Sequence, residues 1–113
     1  MLLLINGPPG VGKSTLARRW AERHPGAIVV EVDDLRIELG GWSTDGSTRQ
    51  TARDLAVELI EDHLRHGRDV VVPQYLGRPT FRDRLRDLAA VTGVAFVEVV
   101  LTAPATEIGR AHV

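Results

Sequence analysis

Residues 7–15 read GPPGVGKST, and their types and spacing suit the capture of a phosphate chain. Glycines at positions 7, 10 and 12 let successive backbone N–H groups converge on phosphate oxygens, and the dipole of a following helix adds to the attraction. Within the loop Gly7, Pro8, Pro9, Gly10, Val11 and Gly12 form the cradle, and Lys13 is placed to span the β- and γ-phosphates. The Ser14 hydroxyl suits a Mg²⁺ ion and Thr15 the α-phosphate. The competing explanation is a Gly-Pro turn that merely joins a strand to a helix. Lys13 weighs against it, being the only lysine among 14 basic residues.

A second group of residues could act on whatever receives a phosphoryl group. An apolar run from Ala27 ends in two carboxylates, Asp33 and Asp34, with Arg36 close behind. A carboxylate closing an apolar strand can orient a hydroxyl or hold a water of Mg²⁺, and the sequence leaves both roles open to Asp33. The alternative is that the two acids cap a short helical turn over Leu35 to Leu39, and Asp34 is the better candidate for that alone. Trp42 follows Gly40-Gly41 and could stack on an acceptor ring, although a lone tryptophan more often packs. Gln74 and Tyr75 follow a third apolar run, at the sheet edge where open parallel sheets bind ligands. Arg78 is the basic residue nearest that edge. Arg82, Arg84 and Arg86 alternate with Asp83 and Asp87 and read as a solvated helix face. The four histidines, His24, His63, His66 and His112, show no metal-ligand spacing.

These residues need elements to position them. Leu2 to Asn6 reads as a strand, Ser14 to His24 as a helix with Leu16, Ala17, Trp20 and Ala21 on one face, and Ala27 to Asp33 as a second strand. Gly40 to Ser47 is loop. Thr48 to His66 carries Ala52, Leu55, Ala56, Leu59, Ile60 and Leu64 at helical spacing, with Ser47 or Thr48 as N-cap and Gly67 as stop. Asp69 to Pro73 is a third strand, Thr80 to Thr92 a helix burying Phe81, Leu85, Leu88 and Ala89, and Ala95 to Leu101 a fourth strand. The alternation predicts right-handed crossovers and an α/β fold of three αβα layers around a mainly parallel sheet of about four strands.

Composition narrows the function. The 113 residues have room for one domain, expected to span 1–113. Net charge is −1 and evenly divided along the chain, so no basic face for nucleic acid stands out. The apolar opening lacks the basic flank of an export signal, and no uninterrupted apolar stretch approaches the roughly 18 residues of a membrane span. With no cysteine present, thiolate metal sites are excluded, and the cytoplasm is the default compartment. A guanine-reading NKxD element needs a second lysine that this chain lacks, and no LSGGQ signature of ABC-type ATPases is present.

GPPGVGKST together with Val32-Asp33-Asp34-Leu35-Arg36 resembles the adenylate-kinase-like small-molecule kinases that include polynucleotide kinase, chloramphenicol phosphotransferase and zeta-type toxin kinases. The resemblance implies a P-loop NTPase fold, with ATP and Mg²⁺ as cofactors and a small hydroxyl-bearing acceptor as partner. Carried over, Lys13, Asp33 and Arg36 would be the catalytic residues: Asp33 the base or orienting carboxylate, also set to serve Mg²⁺ beside Ser14, and Arg36 the clamp. Many such kinases have an Asp near Gln74, and Pro73-Gln74 instead suggests hydrogen bonding to a neutral acceptor. The family usually adds a fifth strand and an arginine-bearing lid. Arg110 stands where a first lid arginine would begin, so the chain is expected to be incomplete at its C-terminus, with weakened ATP affinity. Two alternatives stay open: a noncatalytic nucleotide-binding module, and a polynucleotide 5′-kinase, against which the net charge argues.

Overall fold

The computed structural model describes residues 1–75 and 79–102. Along them run β1 (Leu2–Asn6), α1 (Lys13–Glu22), β2 (Ile28–Val29), α2 (Val32–Ile37), α3 (Thr48–Arg65), β3 (Val70–Pro73), α4 (Pro79–Thr92) and β4 (Phe96–Val100). The sheet is parallel throughout, in the order β2-β3-β1-β4. The α/β class and the four strands agree with the sequence.

Alternation along the central strands separates two cores. Leu2, Leu4, Val70 and Val72 face α3 and α4, where they meet Ala52, Ala56, Ile60, Phe81 and Leu85. Leu3, Ile5 and Val71 face the other way, onto Ala17, Trp20 and Ala21 of α1. β1 and β3 are thus buried on both faces, which is why they read as unbroken apolar runs. The crossover toward β2 puts α1 on one face, and the return crossovers put α3 and α4 on the other, as right-handed connections require. Pro73 closes β3 at its last residue, where the missing N–H interrupts no further pairing.

The second strand departs from expectation. It covers Ile28–Val29 and not Ala27 to Asp33, although the Val30 N–H still donates to the Val71 carbonyl at 2.9 Å. Glu31 is the last extended residue (φ −106°, ψ 114°), and α2 begins at Val32. Asp33 and Asp34 therefore occupy the first turn of a helix, where the positive end of its dipole favours carboxylates. The expected turn over Leu35 to Leu39 is the later part of this helix and its exit.

On α1 and α3 the buried face is narrower than the apolar stripe. Leu16 on α1, and Leu55 and Leu59 on α3, are exposed, while Ala17, Ala52, Ala56, Ile60 and Leu64 are buried. Small residues there let helix and sheet approach closely, and the flanking leucines are left outside. Neither Ser47 nor Thr48 caps α3 through its side chain. The buried Thr48 hydroxyl donates instead to the Asp45 carbonyl at 2.8 Å, which closes the preceding turn. Gly67 stops α3 as expected, with φ at 73°.

Ion pairs tie the outer helices together. Arg84 of α4 reaches Asp54 of α3 at 2.8 Å, Arg86 pairs with Asp83, and Arg82 approaches Glu98 of β4 at 3.8 Å. The charged face read from the sequence is therefore a paired one. Gln50 also donates to Asp54 at 3.0 Å, and the Arg84 guanidinium with this amide holds the Asp54 carboxyl below its ordinary value of 3.8. A lowered folded-state value means the pair supports the fold above that ordinary value and loses its contribution as pH falls through the folded one.

Two outcomes follow from this packing. Leu4→Ala, at a fully buried position in the middle of β1, is expected to lower unfolding stability by about 2–5 kcal/mol in urea titration. In a carboxyl NMR titration Asp54 is expected to protonate below its ordinary value, and Arg84→Ala to bring it back upward. An Asp54 that titrates identically in both proteins would show that the pair does not form in solution.

Candidate functional site

Because the strands are parallel, all their C-terminal ends emerge on one edge, and the 7–12 loop, the Glu31 segment leading into α2 and Gln74 leave from that edge. The 7–12 loop departs from β1, and its root is held by the exits of both neighbours. The Gln74 N–H donates to the Ile5 carbonyl at 3.0 Å, and the Leu101 N–H to the Asn6 carbonyl at 2.7 Å. Gly7 passes so close to β4 that a Cβ there would lie 2.6 Å from the Leu101 carbonyl oxygen, a backbone atom. Gly10 (φ 78°) and Gly12 (φ 98°) adopt the left-handed conformation that L side chains avoid.

Gly12 occupies the N-cap position of α1 and makes no side-chain cap. The N–H groups of Lys13, Ser14 and Thr15 fall in the first helical turn and have no carbonyl one turn back within the helix. Pro8 and Pro9 carry no N–H, so the donors of the loop are concentrated from Gly10 to Thr15. Such a row of N–H groups at a helix start is an anion site. The Lys13 ammonium folds back onto the Pro8 carbonyl at 2.8 Å, which keeps the one lysine at the rim of the loop.

Ser14 has a partner that the sequence reading missed. Its hydroxyl donates to Glu31, and the other Glu31 oxygen pairs with Arg18 of α1 at 3.1 Å. The carboxylate beside Ser14 is thus Glu31, at the exit of β2. The available signal was its place in an apolar run two residues ahead of Asp33, obscured because the strand was read through to Asp33. Ser14 and Glu31 present adjacent hard oxygen donors, a set that fits Mg²⁺.

Asp33 and Asp34 diverge, as neighbours about 100° apart on a helix must. Asp34 lines a cleft of about 250 Å³ with Arg18, Val30, Glu31, Leu35 and Leu59. Asp33 lines a separate cleft of about 240 Å³ with Val32, Arg36, Arg49, Arg53 and Gln74. Three positions there, Asp33, Arg36 and Gln74, were expected from the sequence. Arg49 and Arg53 were missed, although their spacing of four on α3 puts them on one helix face.

Arg36 is fixed in place. Its Nε donates to the Thr48 hydroxyl at 3.2 Å and an Nη to the Trp42 carbonyl at 2.9 Å. Two of its five donors are thereby committed to the 42–48 turn, and the rest stay available. Trp42 enters this arrangement through its backbone, and its exposed ring does not line the Asp33 cleft. Tyr75 is likewise exposed and outside that lining. Arg78 and Arg110 lie outside the described residues, as does His112. The other histidines bond backbone carbonyls: His24 to Trp20, His63 to Gly26 and His66 to Asp62. Among the described residues no group of three or more His, Asp or Glu is placed to hold a metal.

Comparison with known proteins agrees with this architecture. A family model described as an AAA domain matches residues 2–112. A Pyrococcus furiosus protein provisionally named adenylate kinase is 33% identical over 76 residues, covering 67% of this chain and 41% of its own length. The chain thus spans well under half of that relative. Among solved structures, the Pnkp1/Rnl/Hen1 complex superposes with a TM-score of 0.78 at 21% identity, covering 99% of this chain and 39% of the other. The Mycobacterium tuberculosis APS kinase CysC does so at 0.70 and 25% identity, covering 91% of this chain and 76% of the other. The phosphate loop on β1, the parallel sheet and the family match together make the chain a member of this AAA-domain family, a P-loop kinase-like nucleotide-binding domain.

Proposed function

We propose that the domain binds ATP with Mg²⁺ at the 7–15 loop and transfers the γ-phosphoryl group to a hydroxyl of a small molecule seated in the Asp33 cleft. The observation that carries this reading is that the loop and that cleft open from the same edge of the sheet, with Gln74 bonded to β1 just ahead of the loop. The kinase names among its relatives support it, and the net charge of −1 favours a small acceptor over a polynucleotide. The reading places the domain in the cytoplasm, where ATP is supplied.

Phosphoryl transfer asks the protein mainly for positioning and charge stabilisation. N–H groups from Gly10 to Thr15 hold the phosphate chain, and Lys13 swings from the Pro8 carbonyl to the β- and γ-oxygens. Ser14 and Glu31 would hold Mg²⁺, which would neutralise charge on the β- and γ-phosphates; Asp33, in a separate cleft, is left to the acceptor. Asp33 orients the acceptor hydroxyl and accepts its proton. The hydroxyl oxygen forms the new bond to the γ-phosphorus as the bond to the ADP oxygen breaks. Arg36, pre-set by Thr48 and Trp42, clamps the acceptor or the phosphoryl group in transit.

Calorimetry with MgATP tests the first half of the reading. Saturable binding is expected for the chain and its loss for Lys13→Ala. Asp33→Asn is expected to keep MgATP binding while acceptor-dependent ADP formation falls about 10²–10⁴-fold. MgATP binding without ADP formation from any acceptor would establish a noncatalytic nucleotide-binding module instead.

A further inference from the structure

We infer that the acceptor in the Asp33 cleft already carries a phosphate monoester, held by Arg49 and Arg53 of α3; this names the substrate class of the transfer proposed above and rests on it. The cleft sets three guanidinium groups, Arg36, Arg49 and Arg53, against one carboxylate, Asp33, with Gln74 as the other polar side chain. Three positive charges less one negative leave a formal +2. A phosphomonoester carries about −1.5 to −2 at neutral pH, which this cleft balances. Guanidinium forks also match phosphate oxygens two at a time.

The arginines on α3 are not explained by the fold. Arg49 and Arg53 lie four apart near the N-terminal end of the helix, whose first turn contains no acidic residue. Like charges at that spacing repel, and the helix dipole disfavours positive charge in the first turn, where Arg49 lies. Among the described residues neither guanidinium has an ion-pair or hydrogen-bond partner. The nearest acids in sequence are engaged elsewhere: Asp54 by Arg84 and Gln50, and Asp45 by the Ser47 N–H. Two unpaired guanidiniums are thus kept where they oppose helix stability and face a cleft with the candidate base. The cleft divides accordingly, with Asp33 and neutral Gln74 suited to a hydroxyl and the α3 pair to an anion.

The test separates this anion site from the phosphate loop by working in Lys13→Ala. Ribose 5-phosphate, inorganic phosphate and ribose are titrated into that protein while the arginine Nε–H signals are followed by NMR. Both phosphate-bearing probes are expected to shift the Arg49 and Arg53 signals, and ribose to leave them unmoved. Ribose 5-phosphate is expected to bind at least as tightly as inorganic phosphate. Adding Arg49→Gln and Arg53→Gln should weaken its binding tenfold or more without lowering Tm, and Arg53→Gln alone should give an intermediate loss. Undiminished binding in the double variant, tighter binding of inorganic phosphate than of the sugar phosphate, or a fall in Tm marking a structural role would each overturn the assignment. Acceptor-dependent ADP formation from MgATP by the unaltered chain reports separately on the transfer reaction, so either reading can fail alone.

Discussion

Burial of β1 on both faces is the constraint on which the rest of the molecule depends. A strand covered by α1 on one side and by α3 and α4 on the other needs a parallel neighbour at each edge, and β3 and β4 supply them. Parallel pairing then brings all four strand ends out together. The loop after Asn6 is therefore flanked by residues that belong to the sheet, and its root is bonded to both neighbours before the first glycine is reached. The core thus fixes where the loop starts, and the loop's own glycines fix how it turns.

Around that fixed loop the charged groups act through pairing. Glu31 joins α1 to the exit of β2 by holding Ser14 and Arg18 at once, so the helix that starts the phosphate site is tied to the segment that leads into α2. Two residues later Asp33 turns toward the arginines of α2 and α3, and Asp34 toward the opposite cleft. Within four residues the chain thus reaches Ser14 behind the loop, the Asp33 cleft and the Asp34 cleft. Helical geometry alone achieves this separation, since an extended strand would have sent Glu31 and Asp33 to one face.

Much of this was legible in the sequence because the period and the punctuation were clear. The run Leu2 to Asn6, the glycines of the loop, the α3 spacing ended by Gly67 and the four core positions of α4 each pointed to the element that forms. What the sequence obscured was the end of the second strand. Val29, Val30 and Val32 carry strong strand propensity, and only the balance between a weak edge pairing and a favourable first helical turn moves the boundary back. Glu31 was hidden by the same misreading, because its role depends on where the extended segment stops. Arg49 and Arg53 were hidden differently. On an amphipathic helix, exposed arginines look like any solvated face until tertiary structure shows that the face looks into a cleft.

The brevity of β2 has a mechanical meaning. Two residues of pairing, with further hydrogen bonds from Ile28 to Asp69 and from Val30 to Val71, hold this outer strand to β3, whereas β1 pairs through Leu2–Ile5 with β3 and through Leu2–Asn6 with β4. Local opening free energies follow the number of bonds and the apolar area that must be given up. The sheet is therefore graded in stiffness from its centre outward, and the phosphate loop hangs from its stiffest strand. The Glu31 to Arg36 segment hangs from its most compliant one. The Glu31 contacts to Ser14 and Arg18 are therefore the link through which movement of that compliant margin reaches the helix behind the loop.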